Sequence, residues 1–193
     1  MISKVHVSKF LLAALFLVAL QSAGQTNYKQ ISESYMTIAG TSTLHNWTMT
    51  SLEPQIQAVF EAAANGSLTT VKSLTLTVPS QSLKSAHTAM DKNAYSSLKT
   101  DKYKTIAFSI TSATVQKNVV QCTGNLTICG VTKVITLEAT CTPNANGSLH
   151  CTGSKAIKMS DYQVEPPTFM FGTVKTGDDI TVSFNLQLAP NKN

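Results

Sequence analysis

The stretch GNLTICGVTKVITL (Gly124 to Leu137) limits what this chain can become more than any other. Leu126 and Ile128 alternate with Asn125 and Thr127, the run breaks over Gly130-Val131-Thr132-Lys133, and Ile135 and Leu137 then alternate with Thr136 and Glu138. A two-residue period sends successive side chains to opposite faces of an extended strand, so the segment predicts a β-hairpin with one apolar face. Such a face belongs to an antiparallel sheet that is covered on one side.

The same period recurs along the chain. An opening strand is expected over Ile31 to Ala39, a second over Thr43 to Thr50 with His45 and Trp47, and a third over Gln55 to Ala62 with Ile56, Ala58 and Phe60 in phase. Asn65-Gly66-Ser67 is a strong turn signal. Leu74, Leu76 and Val78 alternate until Pro79 stops them; Ile106, Phe108 and Ile110 resume, and the phase shift to Ala113 and Val115 predicts a bulge. Ile180, Val182, Phe184, Leu186 and Leu188 form the cleanest run. Between Lys84 and Thr105 the period lengthens: Met90, Ala94 and Leu98 share one helical face, with Asp91 near the positive end of the helix dipole. Short strands with frequent turns and a single helix indicate an all-β sandwich or barrel. One Trp, Tyr residues mostly near loops and the expected helix, and a polar end, Asn-Lys-Asn, favour an apolar face turned inward over a membrane barrel with aromatic girdles.

Residues 1–24 read as a signal peptide. Lys4 and Lys9 precede eleven apolar residues (Phe10 to Leu20), and Ser22-Ala23-Gly24 offers small side chains for cleavage. Eleven residues fall short of the roughly 20 that cross a bilayer. The expected mature chain is one domain over 25–193, periplasmic or secreted, with no Cys near the cleavage point for a lipid anchor. The net charge is +5, and the chain has no Arg, which argues against base readout and a diphosphate clamp. No nucleic-acid partner is expected.

Four cysteines in an exported chain raise the question of disulfides. Cys122, Cys141 and Cys151 share the parity of their apolar neighbours, while Cys129 has the opposite parity at a turn and is expected to stay free and reactive. Cys141 and Cys151 flank the loop Thr142 to His150, so either they are bridged across a hairpin or all four are reduced. No CxxC or HxxH spacing suggests a metal.

The LTI-x-GVTK run resembles a signature of the YceI-like family. GTSTLHNW (Gly40 to Trp47), MDKNAYSSLKTDKYKTIAFSI (Met90 to Ile110) and KMSDYQVEPPTFMFGTVKTGDDITVSFNLQL (Lys158 to Leu188) are similar to three further blocks of that family, in the right order. Two departures stand out: Cys129 sits where His or Arg is common, and the Arg that some members carry before the last long loop is missing. The resemblance implies an antiparallel lipocalin-like barrel of about eight strands that holds a polyisoprenoid or other long lipid, without a cofactor.

On that reading the residues expected to bind ligand are His45, Trp47, Phe60, Leu76, Met90, Leu98, Phe108, Ile110, Leu126, Ile128, Phe169, Phe171, Phe184 and Leu186. His45 has Asp161 and Glu165 as conceivable partners, but no nucleophile elbow, metal motif or phosphate loop accompanies it, so neither catalysis nor a catalytic residue is expected. Phe169, Met170 and Phe171 read as a lid or a core plug. Lys84, Lys92, Lys99, Lys102 and Lys104 against Asp91 and Asp101 leave a local charge of +3, suited to transient contact with an anionic membrane surface or simply to a solvated helix face. The expected function is to sequester a long-chain apolar ligand; the alternative is a packed barrel serving as a structural or adhesive envelope protein. No feature sets an oligomeric state.

Overall fold

The computed structural model describes residues 24–63 and 67–191. The expected signal peptide lies outside the described residues except for Gly24, which starts the first strand, and Asn65 and Gly66 of the expected turn lie outside them too. The strands are β1 (Gly24–Gln30), β2 (Tyr35–Ser42), β3 (Trp47–Ser51), β4 (Gln55–Ala62), β5 (Leu68–Pro79), β6 (Thr105–Gln116), β7 (Val119–Ile128), β8 (Val131–Pro143), β9 (Leu149–Lys158), β10 (Thr168–Phe169) and β11 (Val174–Pro190). The helix α1 (Thr88–Ser97) joins β5 to β6.

Long β11 closes the sheet. One edge pairs with β9; the other pairs first with β2 and then, at Leu188 to Pro190, with β1. Because β1 also pairs with β4, the ring runs β1-β4-β5-β6-β7-β8-β9-β11 and returns to β1, an antiparallel barrel of eight strands. β2 and β3 continue the lines of β1 and β4 towards the end covered by α1, here called the top.

The opening strand differs from the expected Ile31 to Ala39. Glu33 takes a left-handed conformation (φ 79°) and splits that region into β1 and β2. Ser34, buried beside the break, replaces the lost ladder bonds: its hydroxyl donates to the Gln187 carbonyl at 3.1 Å and accepts from the Gln187 N–H at 2.9 Å. The β7–β8 turn is also tighter than its sequence suggests. Only Cys129 and Gly130 lie outside the strands, both left-handed (φ 50° and 77°), as a two-residue hairpin requires, and Val131 to Lys133 already pair with β7. Lys133 does not break the run because its position is exposed. The expected bulge is present between Ile110 and Ser112.

The small inward residues Gly124 and Gly153 do not leave room; they receive aromatic rings. A Cβ on Gly124 would lie 2.6 Å from Cζ of Phe108, and one on Gly153 would lie 2.5 Å from Cζ of Phe184, its register partner. In each case ring atoms occupy the place that a Cβ would take.

Cys141 and Cys151 are direct register partners and are disulfide-bonded. Cys122 and Cys129 are free, but Cys129 is buried against the expectation of a reactive thiol. The turn folds under the end of α1, so its Sγ donates to the Leu98 carbonyl at 3.1 Å, and burial pushes the thiol pKa up against a smaller opposing pull from Lys99. His150, expected in a loop, lies in β9, half-buried, with Nε2 3.2 Å from Oδ1 of Asn185. At the other end of α1, buried Asp91 accepts from the Ser85 N–H and hydroxyl, both at 2.7 Å, and so fixes the chain entering the helix.

Two outcomes are expected. Replacing Cys141 and Cys151 together by Ser should lower stability by roughly 2–3 kcal/mol in urea titrations, the effect of opening a short loop. In the native protein Cys122 and Cys129 should resist alkylation, and both should react once denaturant is added.

Candidate functional site

Alternation around a closed ring brings every second side chain into one interior. At the bottom these side chains pack densely: Ile56, Phe60, Leu149 and Leu188 are almost fully buried around the disulfide. Towards the top they do not meet. A cavity of about 430 Å³ lies beneath α1, walled by Val78, Ile106, Ile128, Ile180 and Val182 and roofed by Met90, Ala94 and Leu98. A smaller one of about 110 Å³ lies deeper, among Ile110, Leu137, Phe184 and Leu186. The two share Met36, Leu76, Phe108, Leu126 and Val182 as walls. The Phe108 ring, laid over Gly124, stands between the two lobes.

Of the residues expected to bind ligand, His45, Trp47, Met90, Leu98, Ile128 and Phe169 line the upper lobe. Phe60, Ile110, Phe184 and Leu186 line the lower one, and Leu76, Phe108 and Leu126 line both. Phe171 lines neither and is fully exposed. Pairing of Phe169 with Val174 leaves only a short turn between them, and left-handed Phe171 (φ 56°) and Gly172 (φ 87°) carry that turn out into solvent.

Trp47 is fixed in the upper wall: its ring lies over Gly40, its register partner, and Nε1 donates to the Thr41 carbonyl at 3.0 Å. His45 is exposed at the rim, with Nδ1 2.7 Å from the Asn46 carbonyl, and among the described residues no carboxylate bonds to it. The rim is held by paired loops. The Thr43 N–H donates to the Lys175 carbonyl at 2.9 Å, and the Lys175 N–H returns to the Thr43 hydroxyl at 3.2 Å. At the other edge of β11 Asp178 accepts from the Ser160 hydroxyl at 2.6 Å and the Ser160 N–H at 2.8 Å, and these bonds, the hydroxyl first, hold its carboxyl below the usual range.

Several wall residues escape a reading of the period alone. Met36 and Met49 contribute flexible thioethers from the broken strands β2 and β3. Tyr162 arrives from the turn after β9, where no alternation marks it; it is buried in the upper wall, and its hydroxyl has no hydrogen-bond partner among the described residues. Burial, and then the charge of Asp161, push its pKa up.

A family model for the YceI-like domain matches residues 28–188. The chain belongs to the YceI-like family. Solved structures agree on the fold. This YceI-like protein is similar to BcnA of Burkholderia cenocepacia, with a TM-score of 0.68 and 18% identity over 81% of this chain and 96% of that one. It is similar to a polyisoprenoid-binding domain of Saccharophagus degradans, with a TM-score of 0.62 and 13% identity over 85% of this chain and 98% of that one. A YceI protein of Campylobacter jejuni matches with a TM-score of 0.56 and 22% identity over 72% of this chain and 82% of that one. Comparison with curated protein sequences finds no significant match.

Within this YceI-like barrel, Tyr162→Phe should leave folding stability unchanged or raise it by up to about 1 kcal/mol, because it removes a buried hydroxyl without a partner. Tyr162→Ala should cost about 3–5 kcal/mol by opening the wall. Melting curves distinguish the two. The Asp178 tie should persist at neutral pH and weaken as pH falls through its lowered folded value, since a depressed carboxyl pKa stabilises only above that value. Amide exchange at Ser160 across an acid series reads it directly.

Proposed function

We propose that this YceI-like protein sequesters one long-chain apolar molecule, of polyisoprenoid, fatty-acid or fatty-amide type, inside the barrel. The observation that carries the reading is the two-lobed apolar interior, whose upper volume of about 430 Å³ falls in the ordinary range for small-molecule pockets. A barrel working only as a packed structural or adhesive element would fill that space with side chains. The described structure of a polyisoprenoid-binding domain on the same fold adds support.

The energetics suit recognition of the tail. At about 0.8 kcal/mol per buried CH₂, ten methylenes supply roughly 8 kcal/mol, which corresponds to micromolar affinity before ordering costs. Passive burial asks no residue to perform chemistry. The segment 1–24 supports a periplasmic or secreted site of action.

Contact with a membrane surface would spare such a ligand a passage through water. Leu44 at the mouth is 70% exposed and Phe171 wholly so, and the loop bearing Leu44 is bonded to the one following Phe171. Lys175 stands on the same rim. Together with the basic helix region, this surface suits transient docking on anionic lipid.

Native mass spectrometry of the purified protein, followed by solvent extraction, tests the reading: a co-purifying long-chain species is expected, and a clean apo mass after expression in a lipid-replete envelope would defeat it. Ala94→Trp should fill the space beneath the helix, keep a cooperative melt, and weaken binding of a fluorescent long-chain probe by at least about tenfold, the effect of excluding two or more methylenes.

A further inference from the structure

The barrel wall is not continuously bonded. The β8–β9 ladder runs from Pro143 and Leu149 up to Glu138 and Ser154, and there it stops. Both strands go on: β8 continues upwards through Val131–Leu137 and β9 through Lys155–Lys158, the first still paired to β7 and the second to β11. Between them lies a split at mid-height, closed above by the turn Ser160–Tyr162, which touches both strands. Ile135 and Leu137 on one side of the split, and Lys155 and Ile157 on the other, all line the lower lobe. The lower lobe therefore reaches the barrel wall at the split.

Lys155 is the exception in that lining. It has the inward parity of Cys151, Gly153 and Ile157, it is half-buried, and every other residue around the lower lobe is apolar. Among the described residues it has no ion pair. The three acids on the flanking strands have other partners: Glu138 accepts from Gln121 at 3.2 Å, Asp178 from Ser160, and Asp179 pairs with Lys158 at 2.7 Å. An ammonium among hydrocarbon is unfavourable unless water or a counter-charge reaches it, whereas the four-carbon stem of Lys covers apolar surface readily. Lys155 flanks the split, the one place in this lining where an apolar stem can cover the lobe while its charge meets water or a counter-charge at an opening.

We propose that Lys155 is the head-group site of an anionic amphiphile, a carboxylate or phosphate held at the β8–β9 split while its chain runs up past Phe108 into the upper lobe. The proposal rests on the apolar-cavity reading above and specifies the polar end of the ligand. It also answers how a chain without Arg recognises an anion: a single point charge at a side opening serves in place of a guanidinium fork. Polyisoprenyl phosphates and fatty acids share the required chemistry, one compact anion on one long tail. Neutral alcohols and amides lack it.

The test uses the purified chain, delipidated, with oleic acid, oleyl phosphate and oleyl alcohol as probes displacing a fluorescent long-chain reporter. Wild type is expected to bind the two anions about tenfold or more tighter than the alcohol, the usual worth of one charge-assisted hydrogen bond. Lys155→Met, which keeps the length and apolar stem, should erase that preference while leaving affinity for the alcohol unchanged. Lys133→Met and Lys158→Met, on the exposed ends of the same strands, should retain it. Acetate and inorganic phosphate at millimolar concentration should not displace oleic acid; displacement by either would mark a free-anion site and overturn the proposal. Equal binding of acid and alcohol by wild type, or a preference that survives Lys155→Met, would overturn the head-group site and leave the cavity reading intact. Failure of all three probes to bind wild type would overturn both.

Discussion

Closure of the sheet through β1 governs everything else in this molecule. By pairing with β11 on one side and β4 on the other, β1 removes both free edges and converts a two-residue period into an inside and an outside. The apolar positions of eight strands must then share one enclosed volume. The outward positions of β8, such as Thr132, Thr136, Glu138 and Thr140, remain in water. They do not form the apolar outer band of a barrel that spans lipid.

What the enclosed volume becomes depends on how the inward side chains are sized along the barrel axis. At the bottom, Phe60, Leu149 and Leu188 belong to one buried cluster, and the disulfide ties β8 to β9 where they are still paired. At mid-height the Phe108 ring packs against Gly124 and the Phe184 ring against Gly153, where a Cβ would exclude them. At the top β2 and β3 carry the wall beyond β1 and β4, and α1 roofs it with short or flexible side chains, Ala89, Met90 and Ala94. Space survives there, under side chains too small to fill it.

Much of this is legible in the residues because alternation is a local signal and burial rewards it. The strand faces of β7, β8 and β11, the bulge after Ile110, and the helix around Met90 and Ala94 all follow from period. The parity of Cys141 and Cys151 matches their bridged pairing. The features that elude such a reading depend on distant partners. Glu33 breaks the first strand because Ser34 finds Gln187, more than 150 residues away. Cys129 loses its accessibility to the end of a helix that packs over its turn. Tyr162 enters the wall from an irregular segment, and Phe171 leaves it through a left-handed turn that Phe does not ordinarily adopt. Lys155 has inward parity in plain sight, yet its meaning depends on β8 and β9 parting beside it, which no single strand reveals.

The central claim is that one apolar chain occupies both lobes past Phe108. Isotope-filtered NMR on protein with labelled Ile methyls and a bound long-chain fatty acid measures this directly. Ile106 lines the upper lobe alone and Ile110 the lower lobe alone, so they report the two compartments separately. The account predicts intermolecular cross-peaks from one bound chain to both methyl groups. Cross-peaks to only one of the two methyl groups, or to neither with the chain's protons seen only beside outward-facing surface residues, would contradict it.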